Sequence, residues 1–491
     1  MKRKGRDYQL AANECVRNAF RRGIKGVGIE AATGLGKGFI IADIARQAFD
    51  KGGRVLVLVN RDNLCDQLSA SLVEQGLFPE IERGLDKASP LAEVVVGSIP
   101  TMQGERLKKW SQSHFRLVIT DEAHFSAAKT FKNTLDYFQS AYHVFMTATM
   151  ERHDKKGLWS GCEEIVYSMP LQKGIDEGWL VPFDFEELPV PIEISDIQAA
   201  KKMWTEKDEV EVFSGKDYLP RLFAEAASRV NDKKALFFWP NCDSSKEADK
   251  HFNANGIESK HVDGYMPKSE INAILEWFKK PGYKSLHNAD LLSFGYDNPS
   301  IDCVGIMRLS RSIPMLKQRL GRGTRPICAV DNYPDAESRK AAIAASEKPS
   351  VKVLDLMIQL GAVKNKFAES TSLITDNDDE KSFIREEMRK AGKAMSMEEI
   401  QSKLKVKRET DKEKMLAKLA EDAANAALRR PSKEPYYADI LRSPAYGEDA
   451  SQKQVWFLKS LGYTGTKHIR KSQASRIISR FLADKEKQKA A

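Results

Sequence analysis

The segment Ala31-Ala-Thr-Gly-Leu-Gly-Lys-Gly38, here called the phosphate loop, constrains the fold more than any other part of this chain. A short apolar run precedes it and a helix-compatible run follows it, which is the strand–turn–helix setting of a phosphate-binding loop. Gly34 and Gly36 allow backbone N–H groups to converge on phosphate oxygens at a helix N-terminus, and Lys37 adds a positive charge. The nucleotide-binding residues predicted here are Thr33, Gly34, Leu35, Gly36, Lys37 and Gly38.

Gly38 departs from the usual form of such a loop, in which a serine or threonine after the lysine helps to hold magnesium. A glycine adds no ligand at this position. Since a Gly-rich turn before a helix is often only a turn, the loop by itself leaves nucleotide binding and a plain turn equally open, and other motifs must decide between them.

Length and composition indicate a multidomain globular protein. The 491 residues exceed what one hydrophobic core usually supports, and 42% apolar with 30% charged residues can build two or three cores. No apolar run approaches the roughly 20 residues of a membrane span, and the N-terminal Met1-Lys-Arg-Lys-Gly-Arg6 lacks the apolar segment of a secretory signal. We therefore expect a cytoplasmic protein without a membrane partner, and a monomer.

The six cysteines are scattered without a C-x-x-C pair, which predicts packing residues rather than a zinc site or disulfides. Charge is concentrated at the two ends of the chain. Residues 451–491 hold ten Lys/Arg against two Asp/Glu, residues 1–25 hold eight against two, and the stretch between them is net negative. Basic patches of this kind favour a phosphate backbone as partner, although Lys-rich termini are more often simply solvated.

Short apolar runs alternate with helix-compatible stretches in two series, which predicts two α/β domains, each with a parallel sheet covered on both faces. The runs are 54–60, 93–97, 115–120 and 143–147 in the first series, and 234–239, 259–263, 302–307 and 351–356 in the second. After about residue 360 the sequence is charged and helix-compatible without such runs. The predicted units are residues 1–170, 171–360, a charged helical connector at 361–445 and a small basic helical hairpin at 446–491.

The second chemical motif is Asp121-Glu-Ala-His124, directly after the apolar run 117–120. The carboxyl end of a parallel strand delivers side chains to a ligand crevice. Asp121 there can hold Mg²⁺, and Glu122 can orient or deprotonate an attacking water in phosphoryl transfer. An Asp-Glu pair at a strand end is otherwise often a solvated turn, but its spacing from the phosphate loop favours the catalytic interpretation.

These residues, together with Thr147-Ala-Thr149 and Gln318-Arg-Leu-Gly-Arg-Gly-Thr-Arg325, resemble the ordered motifs of superfamily 2 helicases with DEAD/DEAH boxes. The similarity covers roughly residues 5–360 and is greatest to phage recombination helicases and the helicase subunits of restriction enzymes. It implies two tandem RecA-like domains that sandwich ATP with Mg²⁺, with nucleic acid lying across both, followed here by a helical C-terminal extension.

The resemblance implies a role for each matching residue. Gln9 is similar to the family's adenine-reading glutamine, Lys37 to the phosphate lysine, Asp121 to the magnesium ligand and Glu122 to the catalytic base. Arg322 and Arg325 resemble arginine fingers, with Gln318 beside them. Other matches are Gly295 and Asp297 for ATP, His124, Thr147 and Thr149 for coupling hydrolysis to strand movement, and Arg61, Thr101 and Asn288 for phosphate contacts.

The function expected from these motifs is an ATP-dependent nucleic-acid helicase or translocase with a nucleic-acid-stimulated ATPase activity, acting on DNA in replication, recombination or repair. DNA is favoured over RNA by analogy with the family members just named, and an RNA helicase is the alternative. Because Gly38 replaces the usual hydroxyl, a nucleic-acid-binding scaffold with impaired ATPase activity is a further alternative. The retained Lys37, Asp121, Glu122 and arginines favour an active enzyme.

The last predicted unit, residues 446–491, resembles a short hairpin module at the ends of some phage DNA-processing proteins. Val455, Trp456, Leu458 and Leu461 are expected to face Ile477, Ile478 and Phe481. At helical spacing the Trp456–Phe457 pair is more often core than a base-stacking surface. We expect an accessory DNA-binding element or a docking site for a protein partner.

Overall fold

The computed structural model describes residues 4–123, 129–148, 161–195, 204–214, 217–360, 367–375, 377–429, 438–441, 445, 447–461 and 469–490. The chain divides into a compact unit at 1–400 and a second one at 401–491. Two seven-stranded sheets form the larger unit, and helices surround them. This architecture is the predicted pair of tandem RecA-like domains, and the region beyond them is helical, as expected. The domain boundaries drawn from the sequence remain predictions.

The first sheet is parallel throughout, with the strand order β3-β4-β2-β5-β6-β1-β7. Its strands are β1 Gly26–Ala31, β2 Val55–Val59, β3 Glu80–Glu82, β4 Val94–Ser98, β5 Leu117–Thr120, β6 Tyr142–Thr147 and β7 Glu164–Met169. The helices that accompany them are α1 Asp7–Arg21, α2 Lys37–Phe49, α3 Asn63–Glu74, α4 Gly104–Lys108, α5 Lys129–Tyr137 and α6 Leu171–Asp176.

Strand β2 explains why the first sheet is covered on both faces. Its five residues are all fully buried, and alternate side chains point to opposite faces. Val57 packs into the core beneath α1, α2 and α3, whereas Leu56 and Leu58 pack into a second core that contains Trp110 and Phe138. Such a continuous apolar run forms a buried parallel strand because neither of its faces meets water.

The second sheet has the order β10-β11-β9-β12-β13-β8-β14 and is parallel except for the antiparallel edge strand β14. Its strands are β8 Phe183–Ile194, β9 Lys234–Phe238, β10 Ser259–His261, β11 Lys284–Asn288, β12 Cys303–Ile306, β13 Val351–Leu360 and β14 Met395–Ser396. The helices here are α7 Glu206–Phe213, α8 Tyr218–Ala227, α9 Cys242–Ala254, α10 Lys268–Lys279, α11 Ile313–Leu320, α12 Ala336–Ala344 and α13 Asp378–Ala391.

Residues 378–396, which the sequence places in a connector, pack onto this second sheet. Strand β14 pairs with β8, and Arg389 of α13 forms an ion pair with Glu187 of β8 at 3.0 Å. The acidic first turn of α13 and its N-cap Asn377 explain why a helix begins there. The connector prediction did not anticipate this contribution because a two-residue edge strand has no apolar run.

The second unit is helical, with α14 Met397–Arg429 entering it, followed by α15 Ala438–Leu441, α16 Gln452–Ser460 and α17 Lys471–Ala490. Helices α16 and α17 pack through Leu458, Ile469, Ala474 and Ile477. Trp456 is 54% exposed, so the expectation that it joins the core is wrong. The predicted turn at 462–465 lies outside the described residues. No helix of the described residues is long and apolar enough to cross a membrane.

Candidate functional site

The phosphate loop turns sharply between β1 and α2, and two of its glycines have left-handed backbone angles. Gly34 has φ +96° and Gly36 has φ +72°, a region that residues with a Cβ rarely adopt. A Cβ on Gly34 would also lie 2.9 Å from Leu180 Cδ2 and from Thr324 Oγ1 in the second domain. No side chain of the described residues caps α2, so its first N–H groups point into the loop and are suited to bind an anion.

Glu122 lies between a lysine of its own domain and a glutamine of the other. Lys37 Nζ donates to Glu122 Oε1 at 2.9 Å, and Gln318 Nε2 of α11 donates to Glu122 Oε2 at 3.0 Å. The backbone of Glu122 is left-handed, with φ +52°, which costs about 1–3 kcal/mol for such a residue. The carboxylate of Glu122 accepts hydrogen bonds from both domains and therefore has a defined position in the cleft.

Asp121 has the environment of a cation ligand. Its carboxyl group is buried at the end of β5, and within the described part of the chain Oδ1 has no hydrogen-bond partner. Burial raises the pKa of Asp121 to about 6, whereas Lys37 acts to lower it. A buried carboxylate oxygen without a donor suits a hard divalent cation such as Mg²⁺. The residues present therefore fit the metal that the motif implies.

Two arginines of the second domain line the same cleft. Arg322 Nη1 donates to the carbonyl oxygen of Tyr296 at 2.6 Å and Nη2 donates to that of Ser293 at 2.8 Å. Burial lowers the pKa of Arg322 to about 10, a value at which it stays charged at neutral pH. Arg325 Nη1 donates to Asp297 Oδ2. Both arginines are thus held by their own domain while they face the phosphate loop.

Two adjoining cavities in the cleft between the domains are lined by predicted site residues. The smaller has a volume of about 90 Å³ and is lined by the phosphate loop, Asp121, Glu122, Arg322 and Arg325. The larger, of about 640 Å³, shares Gly36, Gly38, Gln67, Ser71, Gly295 and Arg325 with it. The structure therefore brings the predicted phosphate, metal and arginine residues together in one place.

Gln9 lies against the phosphate loop. Its Nε2 donates to the carbonyl oxygen of Leu35 at 3.0 Å, and its Oε1 accepts from the backbone N–H of Arg6 at 3.0 Å. Beside it, the Tyr8 hydroxyl donates to the same Leu35 carbonyl at 2.7 Å. Gln9 thus couples the start of the chain to the loop, and Tyr8, which the motif comparison missed, shares that contact.

Trp179 was also missed by sequence reasoning. The centroid of the Trp179 ring lies 5.0 Å from that of the Tyr8 ring. The guanidinium of Arg339, which belongs to the second domain, lies 4.0 Å from the Trp179 centroid. Arg6 also lies over this ring, at 5.4 Å. A Trp outside every motif gives no signal in the sequence, whereas the fold places it beside Tyr8 and Arg6 of the first domain.

The residues predicted to contact nucleic acid have different surroundings. Arg61 reaches across the cleft, where it lies 3.6 Å from Asp290 Oδ2 and 4.3 Å from the centroid of the Phe294 ring. Thr101 Oγ1 accepts from the backbone N–H of Gly84 at 3.1 Å, which fixes the turn after β3. In the conformation described, Arg61 therefore holds the two domains together.

The structure contradicts a direct phosphate contact by Asn288. This side chain is fully buried at the end of β11, where Nδ2 donates to the Phe237 carbonyl at 2.9 Å and Oδ1 accepts from Leu292 N–H at 3.1 Å. Both ends of the amide are used inside the protein. Asn288 fixes the turn that leads to Gly295, and the sequence could not reveal this because an Asn at a strand end has the same appearance in either role.

Gly295 and Asp297 lie at the edge of the cleft. Gly295 has φ +70°, and a Cβ there would lie 2.6 Å from Leu64 Cδ2 in the first domain. Asp297 binds Arg325, as described above, and Thr147 is fully buried at the end of β6. His124 and Thr149 lie outside the described residues.

Several arginines among the described residues of the N-terminal basic patch are paired with acidic groups. Arg6 Nε binds Asp331 at 2.6 Å and Arg22 Nη2 binds Glu164 at 2.8 Å, while Arg17 binds Glu14. Exposed pairs of this kind contribute little to stability, but they reduce the positive charge available to a polyanion. The prediction of a strongly basic N-terminal surface is therefore weakened by these partners.

Comparison with known proteins gives two family matches. Residues 2–152 match the family described as the res subunit of type III restriction enzymes, and residues 216–326 match the helicase conserved C-terminal domain. The first match contains the phosphate loop and Asp121-Glu122, and the second contains Gly295, Gln318 and both arginines.

Similar proteins and structures come from several sources. A Schizosaccharomyces pombe protein named as a candidate mitochondrial ATP-dependent helicase is 31% identical over 66% of this chain and 55% of its own length. The Escherichia coli type I restriction enzyme EcoAI endonuclease subunit is 24% identical over 65% of this chain and 44% of its own. The chain thus spans about half the length of these relatives.

One similar solved structure is a fragment of an HsdR subunit of a type I restriction enzyme from Vibrio vulnificus. It has a TM-score of 0.55 and 21% identity, and the match covers 75% of this chain and 65% of that one. At this level of identity the similarity supports the fold alone.

Proposed function

The chain belongs to the superfamily 2 helicases, and from this premise we propose that it is an ATP-dependent DNA helicase or translocase whose ATPase activity is stimulated by nucleic acid. The observation that carries the proposal is the position of Glu122, which is bound by Lys37 from one domain and by Gln318 from the other. A catalytic carboxylate that depends on both domains makes hydrolysis depend on their closure, and closure is the movement that a motor needs.

Each residue of the site has a role that its contacts support. The loop N–H groups and Lys37 bind the phosphates of ATP, and Gln9 with Tyr8 fixes the loop from behind. Glu122 accepts a proton from the attacking water, with Gln318 holding its second oxygen. Arg322 and Arg325 stabilise the charge that develops on the transferred phosphoryl group, which is the main demand of this chemistry.

Asp121 would hold Mg²⁺, which when bound neutralises charge on the terminal phosphates. Its buried carboxylate oxygen without a donor among the described residues supports this role. Gly295 and Asp297 link the second domain to the nucleotide, since Asp297 binds Arg325 and Gly295 packs on α3. Thr147 remains a proposed coupling residue by motif alone, as do His124 and Thr149, which lie outside the described residues.

Backbone contacts hold a strand without reading its sequence, so we expect sequence-independent binding. Arg61 would contact phosphate after it leaves Asp290 and Phe294, and Thr101 would contact phosphate from the turn that it stabilises. DNA is favoured because restriction enzyme subunits are among the proteins with similar sequences.

The decisive experiment measures phosphate release by the full chain with single-stranded, duplex and branched DNA and with single-stranded RNA. We expect stimulation by DNA, and a loss of at least about 100-fold in Glu122→Gln because a general base contributes about that much. Glu105 is an exposed glutamate on α4. Glu105→Gln is therefore the matched control and should keep full activity. Stimulation by RNA alone would reverse the choice of nucleic acid.

The second candidate is a nucleic-acid-binding scaffold with impaired turnover, which the missing hydroxyl at Gly38 favours. In that case wild-type phosphate release would equal that of Glu122→Gln, although both proteins would still bind ATP and DNA. The complete set of Lys37, Asp121, Glu122, Arg322 and Arg325 in one cleft supports the enzyme instead.

A further inference from the structure

The neighbourhood of Gly38 shows what occupies the space of the missing side chain. A Cβ on Gly38 would lie 2.8 Å from Ser71 Oγ and 3.5 Å from Ser71 Cβ, with Leu68 Cδ2 next at 3.9 Å. The first of these distances is too short for an ordinary contact between carbon and oxygen. A serine or threonine at position 38 would therefore compete with Ser71 for the same space.

Ser71 lies on the third turn of α3, and its oxygen is available as an acceptor. The hydroxyl donates to the carbonyl oxygen of Gln67 at 3.2 Å, one helical turn earlier. A hydroxyl oxygen that donates its proton in this way still has two lone pairs. Those lone pairs can ligate a hard cation or accept from a cation-bound water.

Ser71 also lines the catalytic cleft itself. It borders the smaller cavity together with Lys37, Asp121 and Glu122, and the larger cavity together with Gly38. Of the three atoms nearest to the absent Cβ, its oxygen is the polar one. The Ser71 hydroxyl on α3 therefore lies where a side chain at position 38 on α2 would begin.

We propose that Ser71 supplies, from the neighbouring helix, the hydroxyl that Gly38 lacks, and that it holds the Mg²⁺ of bound Mg-ATP through a water of that ion. The inference rests on the proposed function only in taking Mg-ATP as the ligand. Mg²⁺ keeps several of its waters in such sites. A hydroxyl on α3 instead of α2 can therefore act through one of these waters while Asp121 remains the carboxylate partner.

The test moves the hydroxyl between the two helices. Ser71→Ala removes it, Gly38→Ser adds one on α2, and Gly38→Ser/Ser71→Ala transfers it. Ser69→Ala is the matched control, since Ser69 lies on the same helix and borders neither cavity. Alanine favours a helix, so Ser71→Ala should fold normally. The readouts are Mn²⁺ binding to the protein–ADP complex by electron paramagnetic resonance, ADP affinity with and without Mg²⁺, and the Mg²⁺ dependence of phosphate release.

Ser71→Ala should weaken Mn²⁺ binding and raise the half-saturating Mg²⁺ concentration by about 10-fold, the lower end of the loss for an outer-shell ligand partner. ADP affinity without metal should not change. Ser69→Ala should resemble the wild type, and the double variant should regain metal affinity relative to Ser71→Ala. Gly38→Ser alone should not bind metal more tightly than the wild type, because its Cβ would lie 2.8 Å from Ser71 Oγ and would displace that hydroxyl while adding another.

Unchanged metal binding in Ser71→Ala would overturn the inference, as would tighter binding in Gly38→Ser with Ser71 present. The proposed function fails separately. A wild type that binds Mn²⁺ with ADP through Ser71 but releases no phosphate would refute the enzyme and support the inference, whereas an active wild type matched by Ser71→Ala would do the reverse.

Discussion

Replacing Gly295 by alanine should inhibit the ATPase by keeping the two domains apart. Gly295 belongs to the second domain, and its absent Cβ would point at α3 of the first, 2.6 Å from Leu64 Cδ2 and 3.2 Å from Gln67 Oε1. Leu64 is only 5% exposed, so it has little room to move away. Separation of the domains is the easiest way to relieve this contact.

The free-energy cost of Gly295→Ala has two parts, backbone strain and steric overlap with α3. A control variant that carries only the backbone strain isolates the steric part. Alanine at φ +70° costs about 1–2 kcal/mol in backbone strain. Gly256, at the end of α9, has φ +78° and nothing within 4 Å of its absent Cβ, so Gly256→Ala carries the strain without the collision. Overpacking adds about 1–3 kcal/mol, which would reduce the closed population about 5- to 150-fold.

The assay compares nucleic-acid-stimulated phosphate release and the urea midpoint of both variants. Gly295→Ala should lose activity by a factor in that range relative to Gly256→Ala, while the two midpoints fall by similar amounts. Adding Leu64→Val, which removes the colliding Cδ2, should restore part of the activity. Equal activity of the two alanine variants would refute the steric argument for closure.

Three other residues give sharp expectations. Gln318→Ala should lower kcat with little change in ATP affinity, because the bond to Glu122 Oε2 is lost while Lys37 is untouched; steady-state kinetics will test this, and a change in KM alone would contradict it. Trp179→Ala should loosen the contact with Tyr8 and weaken binding of a fluorescent ADP analogue, and an unchanged Kd would argue against a nucleotide role. Lys348 is buried, donates to the carbonyl oxygen of Arg325 at 2.8 Å, and burial lowers its pKa to about 7. Between pH 7 and 10.5 the unfolded chain therefore binds up to one more proton at this lysine, so the free energy of unfolding should rise with pH in that window, by at most about 1.4 kcal/mol per pH unit. Urea titrations of Lys348→Met should lack this component, and an identical pH slope would show that Lys348 does not contribute.

Most of the strands that were predicted from the sequence are buried on both faces, although β10, with its exposed Lys260, was also predicted and the fully buried β11 was not. The run 54–60 contains β2, and the run 302–307 contains β12, because continuous apolar sequence is required in the middle of a parallel sheet. Strand β8 was not predicted, since its sequence contains Pro189 and Pro191, which are rare in central strands. The structure accommodates them at an irregularity in the register with β13, between Leu356 and Met357.

The site residues that could be predicted from the sequence are those that belong to a recognisable motif. Lys37, Asp121 and Glu122 meet in the cleft because their motifs follow the carboxyl ends of β1 and β5, two parallel strands with only β6 between them. Ser71 could not be found in this way, since its importance comes from the packing of α3 on α2 and a serine in a helix has no signature of its own. Asn288 shows the opposite case, in which a motif position proved to be an internal hydrogen-bonding group.

The ion pair between Lys37 and Glu122 also sets an order of events. In the structure the lysine neutralises the carboxylate, so each is the other's counter-ion. If the proposed function holds, we expect an arriving terminal phosphate to attract Lys37 more strongly than one carboxylate does, and this exchange would release Glu122 Oε1 while Gln318 still holds Oε2. The proposed base, Glu122, would thereby be released by the same phosphate that the water would attack. A nucleotide without a terminal phosphate would attract Lys37 less strongly. The ion pair between Lys37 and Glu122 would then remain, and Glu122 would not be free to activate water.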